Sequence, residues 1–539
     1  MALPSFNTLP QEVLLQIMQL LRDDSPSSLY SLLFLKSCNE LAESVIYASI
    51  TMKSADRNTR AQKQLFARIN HEPDVMRKFI RHLTVEDGGV LAVHRISLQN
   101  IFMSVQNLQS FSWNNLTMLN LNVLKTFHVN HPNARLHVSQ KSRISWWSPA
   151  PKPLEVDVLK SPQLYSLSMN IVRDTHFPFY SEYPTVWAII KNSKNLRILR
   201  IGAEQDNRPI NRRRGPQPPF THTAQPLHFP IQQGDSLEPL SELTFFSSGY
   251  PVLQYDLSAH HCAKLRDVSD WSHLKVLDFG EQSTVHFWSI FRGYIPNLKT
   301  ARFRFSQPGI RATVTSGTAD EIGKFLDSIT GLEELDIKIA DGDFFNVLFK
   351  YIKHHGPTLQ VLKTSNIETW RRSIPQLPRW NEKDLLELQA IFPRLRELDV
   401  DLACEESGDG ITWGNERKIL WPSAALSTLA NFPSLRILTV RLIFPSPPPN
   451  TTPMSAQQIS GLCKAFFYES LNYNSFRQLK ALNFTVNILD IPSESRFMLF
   501  SLYVDNVMIT IQRSDRDDAD SLEDRGLKVA IVEKRIKVV

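Results

Sequence analysis

Several short stretches gather side chains that could hold a metal or move a proton. His260, His261 and Cys262 stand together in "SAHHCAKL". All three are metal-ligand types. Read as part of a strand, adjacent side chains point to opposite faces and cannot reach one ion. His354 and His355 close a helix-like stretch, where imidazole can bond the free carbonyls of the last turn. Glu405, Glu406 and Asp409 follow Cys404 in "CEESGDG", which lacks the ligand spacing of a calcium loop and reads as a solvated acidic turn. Arg212, Arg213 and Arg214 form a basic run inside a Pro-rich stretch and read as solvated charge. No glycine-rich phosphate loop, dinucleotide fingerprint, nucleophile elbow or zinc-protease motif occurs. The residues thus point to no catalytic group, no metal and no cofactor.

The bulk properties narrow the class. Of 539 residues, 42% are apolar and 21% charged, which suits a chain with a large core. A net charge of +6 is weak over that length and is not the footprint of a dedicated nucleic-acid binder. Pro outnumbers Gly, 33 to 19, so short elements with stiff turns are expected. The four cysteines, Cys38, Cys262, Cys404 and Cys463, are widely spaced and suggest a reducing compartment. No secretory leader is expected from "MALPSFNTLP", and no apolar window is long enough to span a membrane.

From about Phe79 the chain repeats itself. The phrase Leu-x-x-Leu-x-apolar begins at Leu164, Leu196, Leu240, Leu274, Leu298, Leu332, Leu359, Leu395, Leu435 and Leu479, about 35 residues apart on average. Looser copies start at Phe79 and Leu108. Helical patterns precede several copies, such as Ile322, Phe325 and Leu326 ahead of Leu332, and Phe-Pro-x-Leu-Arg-x-Leu occurs twice, from Phe392 and from Phe432. Such units bury their apolar faces only by stacking, which predicts a solenoid of strand-helix units. The two leucines and the last apolar residue of each copy should face the stack. The residues between them should face outward: Asn170, Arg200, Asp278, Arg302, Arg304, Asp336, Lys338, Asp399, Asp401, Arg441 and Asn483.

Two segments break the period. Residues 203–238 are rich in Pro and Arg and are expected to form a long mobile loop. Residues 514–526 are acidic and separate two apolar strands that could close the C-terminal end as a hairpin-like cap.

The first fifty positions read differently. "LPQEVLLQIMQLL" starts at Leu9, with Thr8 and Gln11 placed for a capping box and Pro10 in the first turn. Leu14, Ile17, Met18 and Leu21 form one apolar stripe, Val13 and Leu20 a second, and Leu15 lies further round. That face is wider than one short partner helix covers, which marks an interface unless the downstream array covers it.

This segment resembles the F-box, a small helical module. The matching positions are Leu9, Pro10, Glu12, Leu14 and Ile17, then Leu29, Leu32 and Phe34, then Tyr47 and Ile50. The chain departs from the family pattern at Phe34-Leu35 and Cys38. An F-box followed by a leucine-rich-repeat-like array is an order familiar from fungal proteins. The expected fold is therefore α/β: F-box at 1–50, helical linker at 51–78, array at 79–512, acidic loop and capping strand at 513–539.

The resemblance implies a substrate receptor of an SCF-type ubiquitin ligase that acts in cytoplasm or nucleus. The F-box would dock on a Skp-type adaptor, itself joined to a cullin scaffold, through Leu9, Pro10, Leu14, Ile17, Leu21, Leu29, Leu32 and Phe34, with Glu12 at the rim. The array would hold a substrate protein through Arg200, Arg302, Arg304, Asp336, Lys338, Asp399, Asp401 and Arg441. Three alternatives stay open: a leucine-rich scaffold that joins no ligase, an enzyme with an unrecognised site, and nucleic-acid binding through Arg212 to Arg214.

Overall fold

A computed structural model describes residues 9–24, 30–32, 38–53, 78–86, 98–114, 119–140, 154–174, 182–206, 228–247, 255, 257–280, 285–304, 316–338, 342–364, 380–403, 405–413, 417–420, 422–443, 481–487, 506–513 and 527–534. The chain divides into two compact units, Met1–Asp256 with Asp267–Asp270, and Leu257–Arg266 with Trp271–Val539.

The first unit opens with helices α1 (Gln11–Asp24) and α2 (Asn39–Ile46). Met18 on α1 meets Cys38, Ala42 and Val45, and Leu15, Leu21, Leu32, Leu41 and Ile46 pack around them. The packed stripe of α1 is therefore Leu15, Met18 and Leu21, rotated from the stripe read off the sequence. Pro10 stands just ahead of the helix rather than in its first turn, and its carbonyl accepts the Leu14 N–H at 3.1 Å. Cys38 is buried and fills an apolar slot in this cluster. Thr8, Leu29 and Phe34 lie outside the described residues, as do residues 54–77 of the expected helical linker.

Seven parallel strands follow in chain order: β1 (Ser49–Met52), β2 (His82–Val85), β3 (Ser110–Trp113), β4 (Arg135–Gln140), β5 (Leu164–Asp174), β6 (Ile198–Asp206) and β7 (Glu242–Ser247). Helices α3 (Leu98–Ser104), α4 (Leu121–Asn130), α5 (Val156–Leu159) and α6 (Tyr183–Asn192) come between them. Phe102, Phe111 and Phe127 form a buried aromatic group with ring centroids 5.0 to 5.5 Å apart.

The second unit repeats the plan. Parallel strands β8 (Val276–Asp278), β9 (Thr300–Arg304), β10 (Glu334–Lys338), β11 (Val361–Lys363), β12 (Glu397–Ala403), β15 (Ile437–Ile443) and β16 (Ala481–Asn487) pair in order. Helices α7 (Ala259–Asp267), α8 (Val285–Phe291), α9 (Ser316–Asp327), α10 (Gly342–Ile352), α11 (Glu382–Ile391) and α12 (Ser423–Ala430) alternate with them. An antiparallel hairpin, β13 (Glu405–Trp413) with β14 (Arg417–Leu420), leaves the chain between β12 and β15. Strand β17 (Asn506–Arg513) then pairs antiparallel with β16, and β18 (Leu527–Lys534) pairs antiparallel with β17.

The fold is α/β, with consecutive strands as sheet neighbours, and this succession is compatible with a solenoid-like arrangement. Every copy of the repeated phrase falls on a strand, which begins at Leu164 itself in that copy and two or three residues after the first apolar residue in the others. The inward set is buried as the period demands. Leu332, Leu335 and Ile337 are fully buried, and so are their counterparts Leu274, Leu277 and Phe279. Burial of each such side chain contributes about 1.5–3 kcal/mol before chain entropy is counted. On α9, Ile322, Phe325 and Leu326 share the inward face, as their spacing requires.

Three expectations change. The stretch around His260 is the helix α7 rather than a strand. The acidic stretch after Cys404 is the strand β13 rather than a turn. The segment 203–238 is not one loop: 203–206 complete β6, and from His228 the chain returns with Phe229, Ile231 and Leu237 buried. Asp235 anchors that return, accepting from Trp187 Nε1 at 2.8 Å and from Lys191 Nζ at 2.9 Å. Arg212 to Arg214 lie outside the described residues.

Candidate functional site

Among the described residues no group of three or more His, Cys, Asp or Glu is arranged to hold a metal, and no helix is long and apolar enough to cross a membrane. On α7, His261 and Cys262 turn inward while His260 faces solvent, and Cys262 Sγ contacts the Leu257 carbonyl at 3.3 Å. His355 donates through Nε2 to the Leu326 carbonyl at 3.1 Å, and His354 bonds the Tyr351 carbonyl at 2.7 Å. These histidines serve carbonyls. The residues assigned to binding fall on two surfaces.

One is the outer side of α1. Val13 is 38% exposed and Leu20 is 64% exposed, while Met18 on the other side is fully buried. Ile17 lies between them and is half-buried. At spacings i, i+4 and i+7 the three form one apolar ridge. Leu9, Leu14 and Leu21 are half-buried, and Pro10 and Glu12 are exposed. Of the residues assigned to docking, Leu21 and Leu32 face the internal core, whereas Ile17 borders the open ridge. Val13 and Leu20 were recognisable as a second stripe, but only packing separates the filled stripe from the open one.

The other surface is the polar face of the sheet in the second unit. One register carries Asp278, Arg302, Asp336, Lys363 and Asp399 on five adjacent strands. The charges alternate in sign from strand to strand. Two residues upstream on the neighbouring strand sits a glutamate for each base: Arg302 Nε donates to Glu334 at 2.8 Å, and Lys363 Nζ lies 2.7 Å from Glu397. Arg200 repeats the device in the first unit, bonding Glu242 through Nε at 2.5 Å and Nη2 at 3.0 Å. The bond to Glu334 raises the Arg302 pKa above its ordinary value. For Lys363, burial opposes the charge and the Glu397 contact outweighs it, so its pKa also rises.

These pairs pin the register. Slipping β10 by one residue against β9 would break the charge alternation and turn every leucine outward. The outward set is also less open than alternation alone implies. Asn170, Asp336 and Asp401 are buried, and Asp399 is half-buried. Arg304, Lys338, Arg441 and Asn483 take the expected strand positions by register, and their side chains lie outside the described set. Lys363, Glu242, Glu334 and Glu397 were missed. The signal for them was present, since Leu-x-Glu-Leu follows a strand bearing a base in each case.

No family model and no curated protein sequence matches this chain. Its function must therefore be argued from the two surfaces themselves.

Proposed function

We propose that the chain is the substrate-recognition subunit of an SCF-type ubiquitin ligase, with an F-box at its N-terminus and a leucine-rich-repeat-like solenoid after it. The observation that carries this reading is the open ridge of Val13, Ile17 and Leu20 on a helix whose opposite side is already packed. A helix with two apolar sides, one filled and one open, suits helix-based docking on an adaptor protein. The F-box-like spacing of Leu9, Pro10, Glu12, Leu14 and Ile17 supports the same reading. The chain supplies no bond chemistry in this role. It brings a substrate lysine close to a charged conjugating enzyme, so its effect is effective concentration. The polar sheet face, mixed in charge, suits a protein substrate, and the cullin joins through the adaptor.

The test is co-purification of the full chain with a Skp-type adaptor. Val13→Asp with Leu20→Asp should abolish adaptor binding while the melting temperature stays within about 2 °C, because both side chains are exposed. Adaptor binding that survives the double substitution, or is absent from the unaltered chain, rules the reading out. In the second case the chain would stand as a leucine-rich scaffold outside any ligase.

A further inference from the structure

Among the described pairings of the first unit the parallel ladder has one irregularity, between Leu136 and His137 on β4. Leu136 faces Leu164, but His137 faces Ser166, so Tyr165 is an extra residue with no partner position on β4. Bulges of this kind re-aim a side chain and cluster next to functional sites. Here the bulge sets Tyr165 beside one cation and one imidazole. The Arg135 guanidinium lies over its ring at 4.5 Å, and the His137 ring is 5.5 Å away. Burial, then the neighbouring charges of Arg135, Arg200 and His82, lowers the His137 pKa and keeps it neutral.

Tyr165 is also part of the wall of a cleft of about 320 Å³ that Arg135 and Arg197 share with it. The cleft is held by side-chain amides that bond backbone carbonyls. Gln163 donates to the carbonyls of His131 and Ala134 at 2.6 and 2.7 Å, and Asn195 donates to the Pro162 carbonyl at 2.8 Å. Arg197 Nη1 donates to the carbonyls of Leu196 at 2.8 Å and Lys194 at 3.3 Å, and its Nη2 stands 3.9 Å from Glu238. That distance is too long for a tight pair, so guanidinium N–H groups of Arg197 remain to be satisfied. Arg135 is exposed, with its face on the Tyr165 ring. The cleft thus offers two guanidinium groups and an aromatic shelf at the sheet edge where the strands begin.

We propose that this cleft is a docking site for an acidic segment of a partner protein. A carboxylate would take the guanidinium donors, and its aliphatic stem would lie on the Tyr165 ring. Planar guanidinium forks suit the two oxygens of a carboxylate. The charge of the edge agrees. Arg81, Arg135, Lys160, Lys194 and Arg197 lie on or beside the starts of the strands, with Glu238 and Glu242 as acidic neighbours, of which Glu242 is already bonded to Arg200. This site does not depend on the adaptor reading, because it lies on a different surface and takes a different ligand.

The full chain should be titrated by fluorescence anisotropy with a labelled peptide of alternating glutamate and glycine. The control peptides carry glutamine or phosphoserine in place of glutamate. The glutamate peptide should bind, weaken with added salt, and lose about tenfold or more in affinity in the Arg135→Gln, Arg197→Gln double variant. Tyr165→Ala should weaken binding severalfold. Arg81→Gln, on the same edge two strands away from β4, should stay within twofold of the unaltered chain. All variants should keep the native melting temperature within a few degrees, since these groups are at the surface.

Three results would overturn the proposal. One is no binding of the glutamate peptide to the unaltered chain. Another is an equal loss in Arg81→Gln, which would mean diffuse charge rather than a site. The last is binding of the phosphoserine peptide alone, which would make the ligand a phosphate rather than a carboxylate.

Discussion

His355 shows how much a single buried ring can govern. It is 1% exposed, with Nε2 donating to the Leu326 carbonyl and Nδ1 buried without a partner. A proton on Nδ1 would have nothing to bond, so the neutral ring is the stable form. Burial first, and the adjacent His354 second, push its pKa down to about 4, against the raising effect of the Leu326 bond. The unfolded ring keeps its ordinary value near 6.5. A folded pKa below the unfolded one means that the contribution is whole above pH 6.5 and is lost as the pH falls toward 4. Melting temperature measured across that window should fall for the native chain, by the equivalent of a few kcal/mol. His355→Gln, which can still donate to Leu326, should flatten that slope, and a slope that persists unchanged would assign the acid sensitivity elsewhere. From the sequence, two histidines at a helix end could be assigned to carbonyls. Their burial could not, because it depends on α9, whose Leu326 is 29 positions away.

The strands were the most legible elements, for a physical reason. A parallel strand carries its buried positions at every second residue, and each copy of the phrase from Leu164 to Leu479 displays that alternation directly. Helix α7 was not legible. Its inward residues are His261, Cys262 and Leu265, and two of these three are not apolar enough to mark a face. The return segment after His228 was hidden as well, since its order rests on the distant anchors Trp187 and Lys191. Helix packing adds a constraint that no pattern announces. A side chain on Gly323 of α9 would place its Cβ 2.0 Å from the Tyr351 ring of α10. That ring cannot swing aside freely, because its hydroxyl is bonded to Asp320. Gly323→Ala should therefore cost about 1–3 kcal/mol from overpacking, more than the gain of up to about 1 kcal/mol in helix propensity. Urea denaturation measures the difference. Adding Tyr351→Leu should recover part of the loss, and a stabilised Gly323→Ala protein would show that the two helices can part without penalty.

At the scale of the whole molecule, a repeating sheet has a problem at its end, since the last parallel strand exposes a row of backbone donors and acceptors. Exposed edges of this kind recruit other chains. In the second unit β16 would be that edge, and β17 covers it with six paired positions from Ala481 to Val486. Strand β18 then covers β17 along its whole length. Its sequence, "LKVAIVEK", carries Lys528, Glu533 and Lys534 near its ends, and such charges blunt an edge against further pairing. The hairpin was legible as two apolar runs around an acidic stretch, but its antiparallel attachment to β16 was not. Repeat proteins generally need such capping ends to stay soluble. Removing residues 506–539 should thus leave β16 open and drive self-association. Light scattering should show soluble aggregates or precipitate from the truncated chain under conditions where the full chain is monodisperse. Asn483→Lys with Thr485→Lys in the truncated chain should reduce that association, since these positions alternate with the inward set and put charge along the opened strand. A truncated chain that stays monomeric and melts like the full one would deny the hairpin any capping role.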